Sequence, residues 1–328
     1  MEIKKLGQKV TGLLASVAVV IALSGCGGTN ASGAQEVKVV LNWFAAPGHG
    51  GIYAAKDQGY FEEEGLDVTI EPGGPQVSSI QIVASGKAEF GLAHGDQVLI
   101  ARNQGIDLVA LAALNQRSPQ AFMFHKGHGI ESFEELNGRT AFIQTGIPYW
   151  DYLKSQYDLS NVRELPYLGD STNFINDKES AEQVYISGEP YFMKEQGIET
   201  EVKFISDSGY DPYNYVLYTT REYLDKNEET VRDFVSSMVE GWSYYKDSPD
   251  DILKIINEFN PDMTFDSLKF QEQTLKEYIY GFDAAEHGVG YMTEERWNTL
   301  IDQLYTAGLL KEKFEASEMF TNEYLEAE

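Results

Sequence analysis

Polar and aromatic side chains follow several predicted strands, at turns that lead into helices. A carboxylate such as Glu189 could accept hydrogen bonds from an amino group, and an aromatic side chain such as Trp43 could stack on a flat ring. Backbone N–H groups at the beginnings of the helices could instead bind an anion. On this basis we predict ligand contacts from Asn42, Trp43, Phe44, His49, Gly50, Tyr53, His94, Asp96, Gln116, Thr145, Gly146, Tyr167, Glu189 and Tyr213.

Structural roles explain some of the same residues, and these alternatives stay open. Trp43 could pack in a core while the glycines after it only form a turn. Glu189 precedes a predicted helix, whose dipole favours a negative charge without any ligand. Asp96 is a natural N-cap. Tyr213 belongs to an aromatic cluster that could line a cleft or pack a hinge.

The sequence indicates recognition of a ligand rather than catalysis. No nucleophile triad follows the strands, and no two of the five histidines have the i, i+4 spacing with an intervening Glu that is typical of zinc hydrolases. The glycine-rich turn around Gly50 matches neither the dinucleotide fingerprint nor the phosphate-binding loop. We therefore expect no metal, no cofactor and no catalytic residue. The rival hypothesis is a surface enzyme that uses His94 with Asp96 or Glu189 as an acid and base pair.

Short apolar runs alternate with amphipathic stretches from Val37 onward, a pattern that predicts an α/β protein with largely parallel sheets. The alternation restarts in the middle of the chain, and the C-terminal third reads as helical. We predict two α/β lobes with a ligand cleft between them, because ligands of such sheets lie beyond the carboxyl ends of the strands. Residues 36–124 and 216–328 would form lobe 1 and residues 125–215 lobe 2, with crossings near 121–125 and 215–219.

The N-terminus combines basic residues, a short apolar run and the only cysteine of the chain, Cys26. The run from Leu13 to Leu23 is shorter than the roughly 20 residues of a membrane span, so we predict a signal peptide over residues 1–25. Leu-Ser-Gly-Cys resembles a bacterial lipobox, which implies an acylated Cys26 that anchors the protein to the extracytoplasmic face of the membrane. Residues 26–35 would form the lipidated start and a flexible tether. An ordinary signal peptide with a chance cysteine is the alternative.

Charge and cysteine content restrict the class of protein further. The formal net charge of −27 in 328 residues disfavours nucleic acid and anionic lipid as partners. A single cysteine excludes intramolecular disulfides, so burial alone must stabilise the fold. We expect a monomer.

Five segments resemble solute-binding proteins of ABC importers, in the branch that binds nitrate, sulfonates, taurine, riboflavin and thiamine pyrimidine precursors. They are 41–44 with 49–55 (Leu-Asn-Trp-Phe and His-Gly-Gly-Ile-Tyr-Ala-Ala), 59–68 (Gly-Tyr-Phe, an acidic run, Gly-Leu-Asp-Val), and 86–91 with 132–138. The resemblance covers essentially the whole mature chain. It implies a type II periplasmic-binding fold, lobe closure on a small solute, and delivery to permease and ATPase subunits.

The same resemblance suggests a thiamine pyrimidine precursor as the solute, with Trp43 and Glu189 at the positions that contact the heterocycle. From their places after strands we expect His94 and Thr145 to add polar contacts. An organic sulfonate, taurine or nitrate is the alternative. It would be held by backbone amides at Gly50, Gly95 and Gly146, with Arg102 or Arg117 assisting. Pyrimidine synthases related to this branch use a cofactor lysine and a cysteine-rich segment, and this chain has only Cys26.

Overall fold

A computed structural model describes residues 33–325. The predicted signal peptide, Cys26 and most of the predicted tether lie outside the described residues. The first strand begins at Gln35, which is paired with Leu66, so the globular part begins at the last residue of the predicted tether.

Within residues 33–325, no helix has the length and apolar character needed to cross a membrane.

Strands and helices alternate along most of the described chain. The strands are β1 (Gln35–Val40), β2 (Leu66–Glu71), β3 (Phe90–Ala93), β4 (Leu108–Asn115), β5 (Gln120–His125), β6 (Thr140–Ile143), β7 (Arg163–Pro166), β8 (Ala181–Tyr185), β9 (Thr200–Phe204) and β10 (Asn214–Thr220). The α-helices are α1 (Gly50–Asp57), α2 (Tyr60–Glu63), α3 (Ser79–Ala84), α4 (Gly95–Asn103), α5 (Tyr149–Gln156), α6 (Thr172–Asn176), α7 (Glu189–Glu195), α8 (Arg221–Lys226), α9 (Glu228–Asp247), α10 (Pro249–Phe259), α11 (Phe265–Tyr280), α12 (Asp283–His287) and α13 (Glu294–Thr306).

The strands form two five-stranded sheets, one in each lobe. Lobe 1 has the order β2-β1-β3-β10-β4 and lobe 2 the order β7-β6-β8-β5-β9. In each sheet one strand runs against its neighbours: β10 is antiparallel to β3 and β4, and β5 is antiparallel to β8 and β9. The other pairings are parallel. The predicted α/β fold with two lobes is therefore confirmed, with mixed rather than wholly parallel sheets.

The chain crosses between the lobes at other places than predicted. Residues 121–125 lie in β5 of lobe 2, and residues 215–219 lie in β10 of lobe 1. Both runs are buried, and a buried backbone must find hydrogen-bond partners, which a sheet interior supplies and an open crossing does not. The crossings fall instead at residues 116–119 and 205–213. The predicted boundaries at 124/125 and 215/216 thus cut through two strands.

The long helix α9 packs on lobe 1. One face of α9 is fully buried against the lobe 1 sheet and α1, through Val231, Phe234, Val235, Met238 and Trp242. The two helices approach so closely that a Cβ atom at Gly241 would collide with the carbonyl oxygen of Gly51. Glycine at position 241 is what permits this approach.

Candidate functional site

A cavity of about 470 Å³ lies between the two lobes. Its walls come from the turns after β1, β3 and β8, from the segment that joins β7 to α6, and from the loop between α10 and α11. Aromatic side chains from both lobes contribute to these walls: Trp43, Phe44, Tyr167, Tyr185, Phe192 and Tyr215. The position of the cavity agrees with the rule that ligands of open α/β sheets bind beyond the carboxyl ends of the strands.

Six of the fourteen residues predicted to contact a ligand line this cavity. Lobe 1 contributes four of them and lobe 2 two: Asn42, Trp43, Phe44 and His94, with Tyr167 and Glu189. Trp43 is half-buried, packs against the hydrophobic cluster of lobe 2, and makes an edge contact with Phe44, the ring centroids being 5.4 Å apart. The side chain of Trp43 thus connects lobe 1 to lobe 2 at the wall of the cavity.

His49, Gly50 and Tyr53 lie inside lobe 1 rather than at the cavity. His49 is fully buried, and its Nε2 is 3.0 Å from Oδ1 of Asn42, so the imidazole fixes the amide of a residue that does line the cavity. Burial lowers the pKa of His49 to about 3, which keeps the ring neutral. Gly50 and Tyr53 belong to α1 and are also buried. Their close contacts in lobe 1 leave them no access to a ligand.

Asp96, Gln116 and Tyr213 are engaged in buried hydrogen bonds at the junction of the lobes. Asp96 accepts from the Tyr210 hydroxyl at 2.7 Å and from the N–H of Gln97 at 2.7 Å. Burial raises the pKa of Asp96 to about 6. Gln116 donates to two backbone carbonyls, and the Tyr213 hydroxyl accepts from a backbone N–H at 2.9 Å. These three side chains hold the junction together and do not line the cavity.

Thr145 and Gly146 are exposed in the turn after β6, outside the cavity lining. The carbonyl oxygen of Gly146 accepts from the side-chain amide of Gln97 at 3.1 Å. This hydrogen bond joins the first turn of α4 in lobe 1 to lobe 2. The turn therefore contributes to the contact between the lobes.

Glu189 begins α7, and both oxygens of its carboxylate accept hydrogen bonds within lobe 2. Its Oε1 accepts from the Tyr167 hydroxyl at 2.7 Å, and its Oε2 accepts from the N–H of Tyr185 at 3.0 Å. Each carboxylate oxygen has a second lone pair, so both can accept a further hydrogen bond from a ligand. Burial is the largest effect on this carboxyl group and raises its pKa.

Sequence reasoning missed a hydrogen-bonded triad that joins the lobes at the inner end of the cavity. The Tyr185 hydroxyl of lobe 2 is 2.8 Å from Nε2 of His94 in lobe 1, and it also pairs with the side chain of Asn214 at the start of β10. The ring of Tyr185 stacks on that of Tyr215 at 6.2 Å. Tyr185 is the last residue of β8.

Tyr185→Phe is expected to weaken ligand binding about tenfold. The variant keeps the ring but leaves His94 and Asn214 without their shared partner, and an unsatisfied buried polar group costs about 1–3 kcal/mol. This cost destabilises the arrangement in which the lobes are in contact. The ligand affinity measured by calorimetry should therefore fall, and the radius of gyration measured by X-ray scattering should rise.

Tyr149→Phe is the matched control, since its buried hydroxyl has no hydrogen-bond partner within the described part of the chain. Equal affinities for the two variants would show that the triad does not hold the lobes together.

The two arginines considered for an anion site form salt bridges and do not line the cavity. Arg102 pairs with Asp107 and Glu318, and Arg117 pairs with Asp211. Among the described residues that line the cavity there is no Lys or Arg, whereas Asp170, Glu189 and Asp262 are present. Within residues 33–325, no group of three or more His, Cys, Asp and Glu side chains could hold a metal ion.

The two mixed sheets and the cavity between them define a periplasmic-binding-protein fold. The crystal structure of the aliphatic sulphonate binding protein SsuA from Escherichia coli superimposes with a TM-score of 0.65 at 13% identity, covering 86% of this chain and 91% of that one. An identity this low shows the fold and does not address the ligand.

Residues 46–252 match the model of the family described as "NMT1/THI5 like", and the chain belongs to that family. It is 26% identical over 307 residues to the riboflavin-binding protein RibY of Chloroflexus aurantiacus, covering 89% of this chain and 86% of the relative. It is 23% identical over 298 residues to the formylaminopyrimidine-binding protein of Halalkalibacterium halodurans, covering 88% and 90%.

The family also contains proteins that are named as enzymes. The chain is 28% identical over 267 residues to the 4-amino-5-hydroxymethyl-2-methylpyrimidine phosphate synthase THI11 of Saccharomyces cerevisiae, covering 75% of this chain and 77% of the synthase. Family membership alone therefore does not distinguish binding from synthesis.

Proposed function

We propose that this protein is the solute-binding component of an ABC importer and that it captures a flat heteroaromatic solute such as a thiamine pyrimidine precursor. The observation that carries this proposal is the composition of the cavity. Six aromatic side chains and several amide and hydroxyl groups surround a volume of about 470 Å³, with three carboxylates and no Lys or Arg among the described lining residues. Aromatic walls stack on flat rings, and carboxylates accept hydrogen bonds from ring amino groups.

The same composition disfavours the anionic alternative. A sulfonate or nitrate would lie beside Asp170, Glu189 and Asp262 without a basic side chain to compensate its charge. The three backbone amides considered for an anion belong to Gly50, Gly95 and Gly146, and none of these glycines lines the cavity. Two relatives of this chain are named for binding riboflavin and formylaminopyrimidine, both of which are heteroaromatic.

Binding without turnover fits the described chemistry better than synthesis. His94 is hydrogen-bonded to the Tyr185 hydroxyl across the lobes, and burial lowers the pKa of His94 to about 4 and so makes it a poor base at neutral pH. No lysine lines the cavity among the described residues, so a lysine to carry a cofactor is missing there.

The remaining parts of the proposal follow from the sequence. Acylation at Cys26 would tether the protein to the extracytoplasmic face of the membrane, near the permease that receives the solute. Ligand binding would select the arrangement in which the lobes are in contact, because only this arrangement brings Trp43 and Glu189 together around one solute. Mass spectrometry of the mature N-terminus tests the acylation.

A thermal-shift panel tests the ligand class. The chain from Gly27 onward, which contains every described residue, is mixed with formylaminopyrimidine, riboflavin, taurine, an alkanesulfonate and nitrate. A solute present at a hundred times its Kd should stabilise the folded protein by about 2.7 kcal/mol and raise its melting temperature. We expect stabilisation by a heteroaromatic compound. Stabilisation by a sulfonate or nitrate alone would refute the proposal, and turnover of a bound heterocycle would identify an enzyme instead.

A further inference from the structure

The charge of the cavity restricts the solute further than its aromatic walls do. We propose that the solute binds as a cation, with a protonated amine or a positively charged ring nitrogen held against the carboxylates of lobe 2. This inference rests on the proposed function and narrows its substrate class from flat heterocycles in general to cationic ones.

The carboxylates of the cavity have no cationic partners in the described part of the chain. Asp170, Glu189 and Asp262 line the cavity, and none of them forms a salt bridge with a Lys, Arg or His side chain there. Many other acidic residues of this protein do form such pairs at the surface. Asp170 and Asp262 are exposed at the mouth of the cavity and Glu189 is partly buried, so a cationic group in the cavity would meet carboxyl groups that have no cationic partner within residues 33–325.

A fourth carboxylate lies behind the lobe 2 wall. Glu182 is only 1% exposed and accepts a short hydrogen bond from the hydroxyl of Ser171, which lines the cavity. The pKa of Glu182 is raised to about 8, chiefly by burial and also by the nearby charges of Glu189 and Asp170. Like charges that share a low-dielectric region disfavour one another's ionisation, and a cation among them removes that penalty.

Two unpaired polar groups point to a ligand independently of the carboxylates. Ser187 is 4% exposed and Gln183 is 2% exposed, and both line the cavity. The described residues offer no hydrogen-bond partner to the Ser187 hydroxyl or to the amide nitrogen of Gln183. Because both residues line the cavity, these two groups are available to a solute. A hydroxyl and a carboxylate together can satisfy the N–H groups of a protonated amine.

The aromatic walls suit a cation as well as a neutral ring. A cation placed over the face of Trp, Tyr or Phe is attracted by the ring quadrupole, most strongly where water is excluded. Trp43, Tyr167 and Tyr215 present such rings around the same space as Glu189. Aromatic faces and adjacent carboxylates together form the kind of site that selects an ammonium group.

A pair of ligands that differ in one functional group tests the inference. The neutral probe is 4-amino-5-hydroxymethyl-2-methylpyrimidine, and the cationic probe is its 5-aminomethyl analogue, which has the same ring. Titration calorimetry at pH 7 with the mature chain should give at least about tenfold tighter binding of the amine, the difference that about one pKa unit of charge interaction represents.

Proton release gives a second readout that a shape effect would not produce. Bound amine lowers the pKa values of Glu182 and Glu189, and Glu182, whose pKa is raised to about 8 without ligand, loses its proton on binding. The other titratable groups that face them are Asp170, Tyr167 and Tyr185, and burial keeps the two tyrosines protonated. Titrations in two buffers with different ionisation enthalpies should show net proton release for the amine and none for the alcohol.

Two variants test whether the carboxyl groups cause the preference for the amine over the alcohol. Glu189→Gln and Glu182→Gln should each weaken binding of the amine about tenfold while changing binding of the alcohol about twofold or less. Glu199→Gln is the matched control, because it removes the same charge from an exposed pair with Lys126, away from the cavity.

The possible outcomes separate the two proposals. Equal affinity for amine and alcohol, or binding of riboflavin in preference to the amine, overturns the cation inference and leaves the heteroaromatic proposal in place. Binding of a sulfonate or nitrate with no binding of either pyrimidine overturns both, and so does the absence of binding by every heteroaromatic probe.

Discussion

Trp43→Ala is expected to weaken heterocycle binding by about 1–3 kcal/mol, which is about fivefold to 150-fold in Kd. Trp43 lines the cavity, and its ring is the aromatic surface of lobe 1 that also packs against lobe 2. Its removal takes away a stacking surface and part of the contact between the lobes. Calorimetric titration of the variant with the solute identified by the thermal-shift panel measures the loss.

The alternative role of Trp43 as a core residue predicts a different result. Because its side chain is only half-buried, the free energy of unfolding of the unliganded variant should fall by no more than about 1–2 kcal/mol. A loss of about 3–5 kcal/mol, typical of a buried Trp replaced by Ala, would assign Trp43 to the core instead. Tyr305→Ala removes an exposed aromatic ring far from the cavity and controls for surface effects.

Gly241→Ala is expected to lower the free energy of unfolding by about 3 kcal/mol. The added methyl group would collide with the carbonyl oxygen of Gly51 and with the backbone nitrogen of Ala55, which are main-chain atoms that cannot turn away. Overpacking of this kind costs about 1–3 kcal/mol and occasionally more, and it outweighs the gain of up to about 1 kcal/mol in helix propensity. Urea denaturation measures the change.

Ser243→Ala is the matched control for Gly241→Ala. It lies in the same helix, α9, and is exposed, and its hydroxyl bonds only to the carbonyl oxygen of Val239. If both variants unfolded at the same urea concentration, α1 and α9 would have room to move apart, and the close approach at Gly241 would not be required.

Local sequence signals located much of the cavity. Asn42, Trp43, Phe44, His94 and Glu189 follow or adjoin strand ends, and the carboxyl ends of the strands in both lobes face the same cleft, so one rule placed them all. Phe192 and the loop at residues 260–263 were missed. Phe192 lies in a helix and the loop joins two helices, so neither follows a strand end, which was the feature used for the prediction.

Several residues that were predicted to contact the ligand form hydrogen bonds with residues distant in the chain instead. Asp96 is bonded to Tyr210, which is 114 positions away in the chain, and the Tyr213 hydroxyl is bonded to the N–H of Thr293. Both side chains have the chemistry of ligand contacts and both occur beside strand ends. Only the tertiary structure shows that their hydrogen-bonding capacity is already used.

The crossings were misplaced because an apolar extended run has two interpretations. Residues 121–124 could span the gap between two lobes or form a central strand, and the sequence pattern is the same in both cases. Burial on both faces identifies the strand, and burial depends on the lobe that the run joins. The true crossing at residues 116–119 is short and carries the polar residues Gln116, Arg117 and Ser118.

The central position of β10 determines the order in which the protein can fold during synthesis. β10 lies between β3 and β4, yet lobe 2 separates it from both of them in the chain, and Phe320 adds a further bridge to Ala110. The edges of β3 and β4 that pair with β10 therefore stay unpaired while the ribosome makes about a hundred further residues. Lobe 2 is contiguous in the chain and can fold first. A chain released before residue 220 leaves the first sheet incomplete and exposes edges that favour aggregation.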